Sequence, residues 1–154
     1  MMENKPIKRH EALRPLSREH HHGLLLCWKI REGFKRNVAT ARIKQYANWF
    51  WANHLQSHFE EEEKFVFVVL PKDNELLKRA IAEHHSIAQL FNQEEDVVNA
   101  LNAIAEELEQ HIRFEERILF SEIQQMASEA QLDAIAQHHH DVLCDDWSDE
   151  FWKD

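Results

Sequence analysis

Glycine is nearly missing from this chain: there are two in 154 residues, with three prolines and a single tyrosine. An all-β protein with many tight turns needs far more of the residues that turn a backbone, so that class is excluded. Cysteine is scarce too. Cys27 and Cys144 lie far apart and match no zinc or redox spacing, which reads as two free thiols in a reducing cytoplasm. The longest apolar run, Phe65 to Leu70, is too short to span a bilayer, and Met1 to His10 is too polar and charged for a secretory signal. Basic charge is also short, because 18 Lys and Arg against 28 Asp and Glu give a formal net charge of −10. With no basic stripe to meet phosphate, neither nucleic acid nor a membrane is an expected partner, and the expected location is the cytoplasm.

What the chain does have is long tracts of Ala, Leu, Glu, Gln and Lys, which favour helix, and a length that suits one domain over 1–154. Ser17 is a plausible N-cap for a first helix to about Phe34. Thr40 opens a second, which reaches about Leu70 and stops at Pro71. Asp73 or Asn74 opens a third, ending near Asn92, and a fourth runs from about Glu94 to Met126. Ser128 with Gln131 forms a capping box for a shorter fifth helix through about Leu143. Asp145 to Asp154, with Trp147 and Trp152, is an acidic tail or a docking segment. Short connections make successive helices antiparallel. The expected fold is all-α: an up-down-up-down four-helix bundle over about 16–127, then a short extra C-terminal helix and acidic tail in 128–154.

A repeat stands out within this pattern. His58 to Phe67 and His111 to Phe120 both read His-x-x-x-Glu-Glu, followed by an aliphatic residue and Phe. Residues four apart on a helix share a face, so His58 with Glu62, and His111 with Glu115, each present an imidazole and a carboxylate together. Glu63 and Glu116 turn about a hundred degrees away, towards water. Arg18-Glu19-His20-His21 in the first helix echoes Ala82-Glu83-His84-His85 in the third. His20 and His84 lie on the apolar stripes, with His21 and His85 as the other candidates. His54 sits one turn before His58 and reads as a supporting or core residue, while His138, His139 and His140 read as solvent-facing.

Taken singly, each His/Glu pair is a weak solvated contact. Two copies in register, inside apolar sequence, are different. A buried carboxylate without a partner is costly, and no Lys or Arg shares those stripes. A cation is the simple supplier of positive charge, and imidazole with carboxylate suits iron, manganese or zinc. Six ligands exceed the four of one tetrahedral zinc, and two metals roughly 3.5–4 Å apart, bridged by the glutamates, would use them all.

These residues resemble the hemerythrin-like family, also called HHE cation-binding domains, over about residues 16–124. The resemblance implies an up-down bundle holding two iron ions with an oxo or hydroxo bridge. Its ligand roles carry over to His20, His58, Glu62, His84, His111 and Glu115. Oxygen-carrying members have His-x-x-x-His on the third helix and His-x-x-x-x-Asp on the fourth. This chain has Ala88 four residues after His84, and its carboxylate is Glu115, one position nearer. That implies a more open, carboxylate-richer site, closer to non-carrier members that sense O2, related small molecules or iron.

The expected function is thus di-iron binding with a small ligand such as O2 at the site. A homodimer or a separate signalling partner is left open. An enzyme acting on peroxide, nitric oxide or Fe2+, and a metal-free interaction module, are the competing classes. Ferritin-like oxidases carry Glu-x-x-His at i,i+3, whereas the repeated motifs here have the reverse order at i,i+4, and the His-Glu-x-x-His of zinc hydrolases is absent.

Overall fold

A computed structural model describes residues 8–139 and 147–153. Cys144, His140 and the expected end of the fifth helix near Leu143 lie outside the described residues, as do residues 1–7. Helix α1 (Arg14–Lys35) starts earlier than Ser17, because Pro15 suits a first turn that needs no N–H from it. Ser17 caps nothing; its hydroxyl donates to Glu116 at 2.8 Å. Helix α2 covers residues 40–69. It is α-helical over Thr40–Phe50 and Gln56–Glu61, π-helical over Trp51–Leu55 and Glu62–Val66, and ends in a 3-10 turn at Phe67–Val69. Helix α3 (Glu75–Phe91) is capped by Asn74, whose side chain accepts from the backbone of Leu76 and Leu77.

Helix α4 covers residues 97–126, with a π turn at Glu115–Leu119 between Val97–Phe114 and Phe120–Met126. It begins after Glu94 because Asp96, at φ 52°, turns the chain first. Helix α5 (Glu129–His138) opens with the Ser128/Gln131 capping box.

The π turns have a direct effect on packing. Each adds a residue to one turn, so the inward face advances by one position. Straight α periodicity puts Phe65, Val69 and Ile118 inside. In the structure Phe65 and Val69 are half-buried and Ile118 is exposed, while Val66, Phe67, Leu70, Leu119, Phe120 and Ile123 fill the core. Two of the three π turns begin at the glutamate of the repeated motif.

Side-chain bonds fix the directions of the helices. Glu19 meets His58 and Lys29 meets Tyr46, so α1 and α2 run antiparallel. Glu63 with His84 and Lys44 with Phe91 do the same for α2 and α3. Glu83 with His111 and Ser86 with Glu107 set α3 against α4, and Ser17 with Glu116 and Arg31 with Ala105 set α4 against α1. The result is an up-down-up-down bundle.

Two apolar cores fill it. One contains Leu26, Ile30, Phe50, Phe91 and Leu108, and the other contains Leu16, Phe67, Phe120, Leu132 and Ile135. The C-terminal segment docks on the first core. Phe151 and Trp152 are buried there, Asp149 accepts two bonds from Arg42, and Lys29 Nζ lies 3.8 Å from the centre of the Trp152 ring. Gly33 makes room for this docking, since a Cβ there would lie 2.9 Å from the Phe151 ring. Among the described residues, no helix is long and apolar enough to cross a membrane.

Candidate metal centre

Between the two cores lies a buried polar layer. His20, His58, Glu62, His84, His111 and Glu115 come from four helices and are each at most 5 % exposed. His21 and His85 point outward and are exposed, so the helix turn selects His20 and His84. The six residues form two groups whose donor atoms lie within 4.8 Å of one another: His20, His58, Glu62 and Glu115, and Glu62, His84, His111 and Glu115. Both glutamates belong to both groups.

Their oxygens divide accordingly. Oε2 of Glu62 lies 3.6 Å from His20 Nε2 and 3.4 Å from His58 Nε2, and Oε2 of Glu115 lies 3.0 Å from His20 Nε2. Oε1 of Glu62 lies 3.2 Å from His84 Nε2, while Oε1 of Glu115 lies 3.5 Å from His84 Nε2 and 2.6 Å from His111 Nε2. Each carboxylate thus turns one oxygen to each pair of histidines, which suits a bridge between two cations. Despite these short separations, none of the four oxygens makes a hydrogen bond, nor does Nε2 of His58, His84 or His111. Buried lone pairs aimed at a common point without hydrogen-bond geometry are costly for a protein and fit a metal ion.

The other ring nitrogen of each histidine is also fixed. His58 Nδ1 donates to Glu19 at 2.8 Å, His84 Nδ1 to Glu63 at 3.0 Å, His111 Nδ1 to Glu83 at 2.7 Å and His20 Nδ1 to Glu116 at 3.2 Å. Such bonds leave Nε2 as the lone-pair donor and orient the ring. They close a circuit, in which α1 supplies the carboxylate for α2, α2 for α3, α3 for α4, and α4 for α1. Glu63 and Glu116 therefore do not simply face water, as their position on the helix suggests. The hundred-degree step from Glu62 or Glu115 points them at the next helix instead. The sequence signal was adjacency, for each outer carboxylate stands directly beside a member of the buried six.

Electrostatics describes the same demand for positive charge. Burial pulls His58 down, but Glu62 and Glu19 outweigh it and hold the imidazole at about 9. Burial likewise opposes charge on His20, yet Glu115, Glu116 and Glu62 keep it well above 6.5, and carboxylates raise His84 and His111 in the same way. Burial and Glu115 push Glu62 upward, but the histidines, with His58 foremost, leave it lowered; burial raises Glu115 and His111 lowers it well below 4.5. Protons on imidazole meet the charge of the carboxylates, and a metal cation would compete for the same position.

The surroundings of the two pairs differ. Phe59 stacks on His84 at 3.8 Å, and Phe67 and Phe114 pack close by, sealing the His84/His111 side. The His20/His58 side opens on a cavity of about 20 Å³ lined by Glu19, Gly23, Phe50, His54, Leu55 and Ile112. That volume holds about one water-sized molecule. His54 is buried there against Trp49 and Phe50.

Not all the outlying histidines face solvent. His138 is exposed but rests on Phe65, with ring centres 4.3 Å apart. The side chain of His139 is 7 % exposed and bonds Glu61. Cys27 is buried, and burial pushes its thiol up to about 12, so it is inert as a nucleophile or ligand.

Comparison with known proteins gives one match. The family described as hemerythrin HHE cation binding domain matches residues 8–122. No curated protein and no solved structure gave a significant match. The match covers well over half of the chain, and the chain belongs to the hemerythrin HHE cation-binding family.

Proposed function

We propose, from membership of this cation-binding family, that the chain holds two iron ions and binds a small ligand such as O2 at one of them. His20 and His58 would hold one ion and His84 and His111 the other, with Glu62 and Glu115 spanning both. One observation carries this reading: seven buried ligand atoms on these side chains make no hydrogen bond and converge on one layer. When bound, a metal pair of this kind supplies Lewis-acid and electron-transfer chemistry.

The chain's own residues supply the rest. Glu19, Glu63, Glu83 and Glu116 hold the Nδ1 protons and so keep every Nε2 turned inward. Phe59 and Phe67 exclude water from the His84/His111 side. The cavity beside His20 and His58 admits one small molecule, and that size favours binding or sensing of a diatomic over turnover of a larger substrate. His54 and His22 line the cavity wall and are the polar side chains, with Glu19, that such a ligand would meet.

The test is metal content after expression with iron supplied, with near-ultraviolet spectra before and after reduction and return to air. Two irons per chain, and bands that bleach on reduction, are expected. Glu62→Ala and Glu115→Ala should each lose both ions while the protein stays helical. Two ions retained in both variants would exclude the spanning role of the carboxylates. One zinc, or no metal, with a silent spectrum would turn the reading to an interaction module.

A further inference from the structure

We propose that His139 is a positioning residue for the His58 half of the centre, an inference that rests on the metal-binding reading above. His139 lies beyond the residues that match the family, just past the end of α5. Leu132 and Ile135 anchor α5 in the second core, and His138 packs on Phe65 of the π turn that follows Glu62. This brings the His139 ring between two carboxylates. Its Nδ1 donates to Glu61 Oε2 at 2.7 Å, and its Nε2 lies 3.3 Å from Glu19 Oε2. Glu19 in turn accepts from His58 Nδ1 through its other oxygen, at 2.8 Å.

As Glu83 has His111 and Arg79, so Glu19 has His58 hydrogen-bonded at one oxygen and His139 at ion-pair distance from the other, where no hydrogen bond forms. The Glu19 side chain is 16 % exposed, against 38 % for Glu63, 30 % for Glu83 and 32 % for Glu116. Glu83 takes its second contact from the exposed Arg79, and Glu116 from Ser17. A carboxylate whose second oxygen has an imidazole fixed beside it is less free to turn away from the histidine it supports, and partners of the ligand histidines change metal affinity by roughly 10–100-fold. Acting one bond farther out, His139 belongs at the low end of that range. Its effect falls on one half of the centre, the half that opens on the cavity.

The test is titration of the metal-free, full-length chain with Co2+, followed by its visible ligand-field bands. Wild type should take up two ions. His139→Asn, whose amide nitrogen replaces Nδ1 and reaches only Glu61, should weaken one of the two binding steps by about tenfold. His139→Gln, whose amide nitrogen takes the place of Nε2 beside Glu19, should restore that step. Leu101→Ala weakens the first core, away from the core that anchors α5, and should leave both steps unchanged. Glu19→Gln should weaken the same step, and His139→Asn added to it should weaken it no further. The inference is overturned if His139→Asn titrates like wild type, or if Leu101→Ala reproduces its effect. Failure of wild type to bind two ions would instead overturn the metal-binding reading itself.

Discussion

The two histidine pairs share their carboxylates, their inward Nε2 atoms and their Nδ1 partners, yet they stand in different surroundings. His84 is roofed by Phe59 and flanked by Phe67, whereas His20 and His58 border a small cavity with Gly23 and His54 on its wall. Donors of one kind thus line both sides. Access to them is decided by the next layer out, where aromatic rings close one side and a missing side chain opens the other. Glycine at position 23 marks that choice, since a Cβ there would lie 2.8 Å from Ile112 Cδ1.

Acid should act on both sides alike, and it has the largest expected effect. Metal needs a neutral Nε2, and His58 holds a proton up to about 9, so its contribution makes affinity rise with pH until about 9, with the raised His20, His84 and His111 acting in the same direction. For that one proton the loss is about tenfold per pH unit below 9, or roughly a thousandfold by pH 6. The metal-free chain follows the opposite slope. Its charged His58 stabilises it fully below 6.5, and that contribution disappears as pH rises through about 9. The lowered carboxylates stabilise it above 4.5 and cease to do so as pH falls through their folded values. Chemical denaturation of the metal-free protein should therefore show a maximum between 4.5 and 6.5. Separate loss of the two ions on acidification, rather than joint loss, would show that the halves differ in the ligands themselves.

Phe59→Ala attacks the closed side. Phe59 is 5 % exposed and belongs to the first core, so truncation should cost about 3–5 kcal/mol in a denaturant melt. It should also give the His84 side access to small ligands, read as a second ligand-binding event in the spectrum. A single event, as in wild type, would mean that Phe59 is not the barrier.

Gly23→Ala attacks the open side, and gently. The new Cβ meets the flexible tip of Ile112, and an overpacking of about 1 kcal/mol should weaken ligand binding about fivefold with metal content unchanged. Unchanged ligand affinity would place the entry route elsewhere.

Much of this architecture could be read from the residues. Asn74 and Ser128 announced their helices because a cap is a local, side-chain-to-backbone bond. His58 with Glu62 and His111 with Glu115, paired by i,i+4 spacing, meet His20 and His84 because the antiparallel helices bring these positions to one height. What was not legible depends on neighbours or on backbone detail. Phe65 and Ile118 fit an inward stripe until a π turn advances the helix by one residue, and no periodicity count detects that insertion. Glu63 and Glu116 look solvated on their own helices and acquire a histidine only when the next helix packs alongside. Ser17 has the chemistry of a cap, but Pro15 begins the helix first. His139 reads as a solvent residue because its partners stand about eighty and a hundred and twenty positions earlier in the chain.

The circuit of outer carboxylates has a bearing on how the molecule behaves in an electric field. With Glu62 and Glu115 it gathers six acidic side chains around one point, out of the 28 in the chain. Much of the formal charge of −10 is therefore internal, and the sequence isoelectric point near 5.6 describes the chain alone. That −10 counts every histidine as neutral, whereas the raised His20, His58, His84 and His111 hold protons in the metal-free chain, so two divalent cations that displace those protons would leave the net charge little changed. Loaded and empty molecules should then run together on a native gel, and occupancy should be read instead from the protons released into a weakly buffered solution on metal addition.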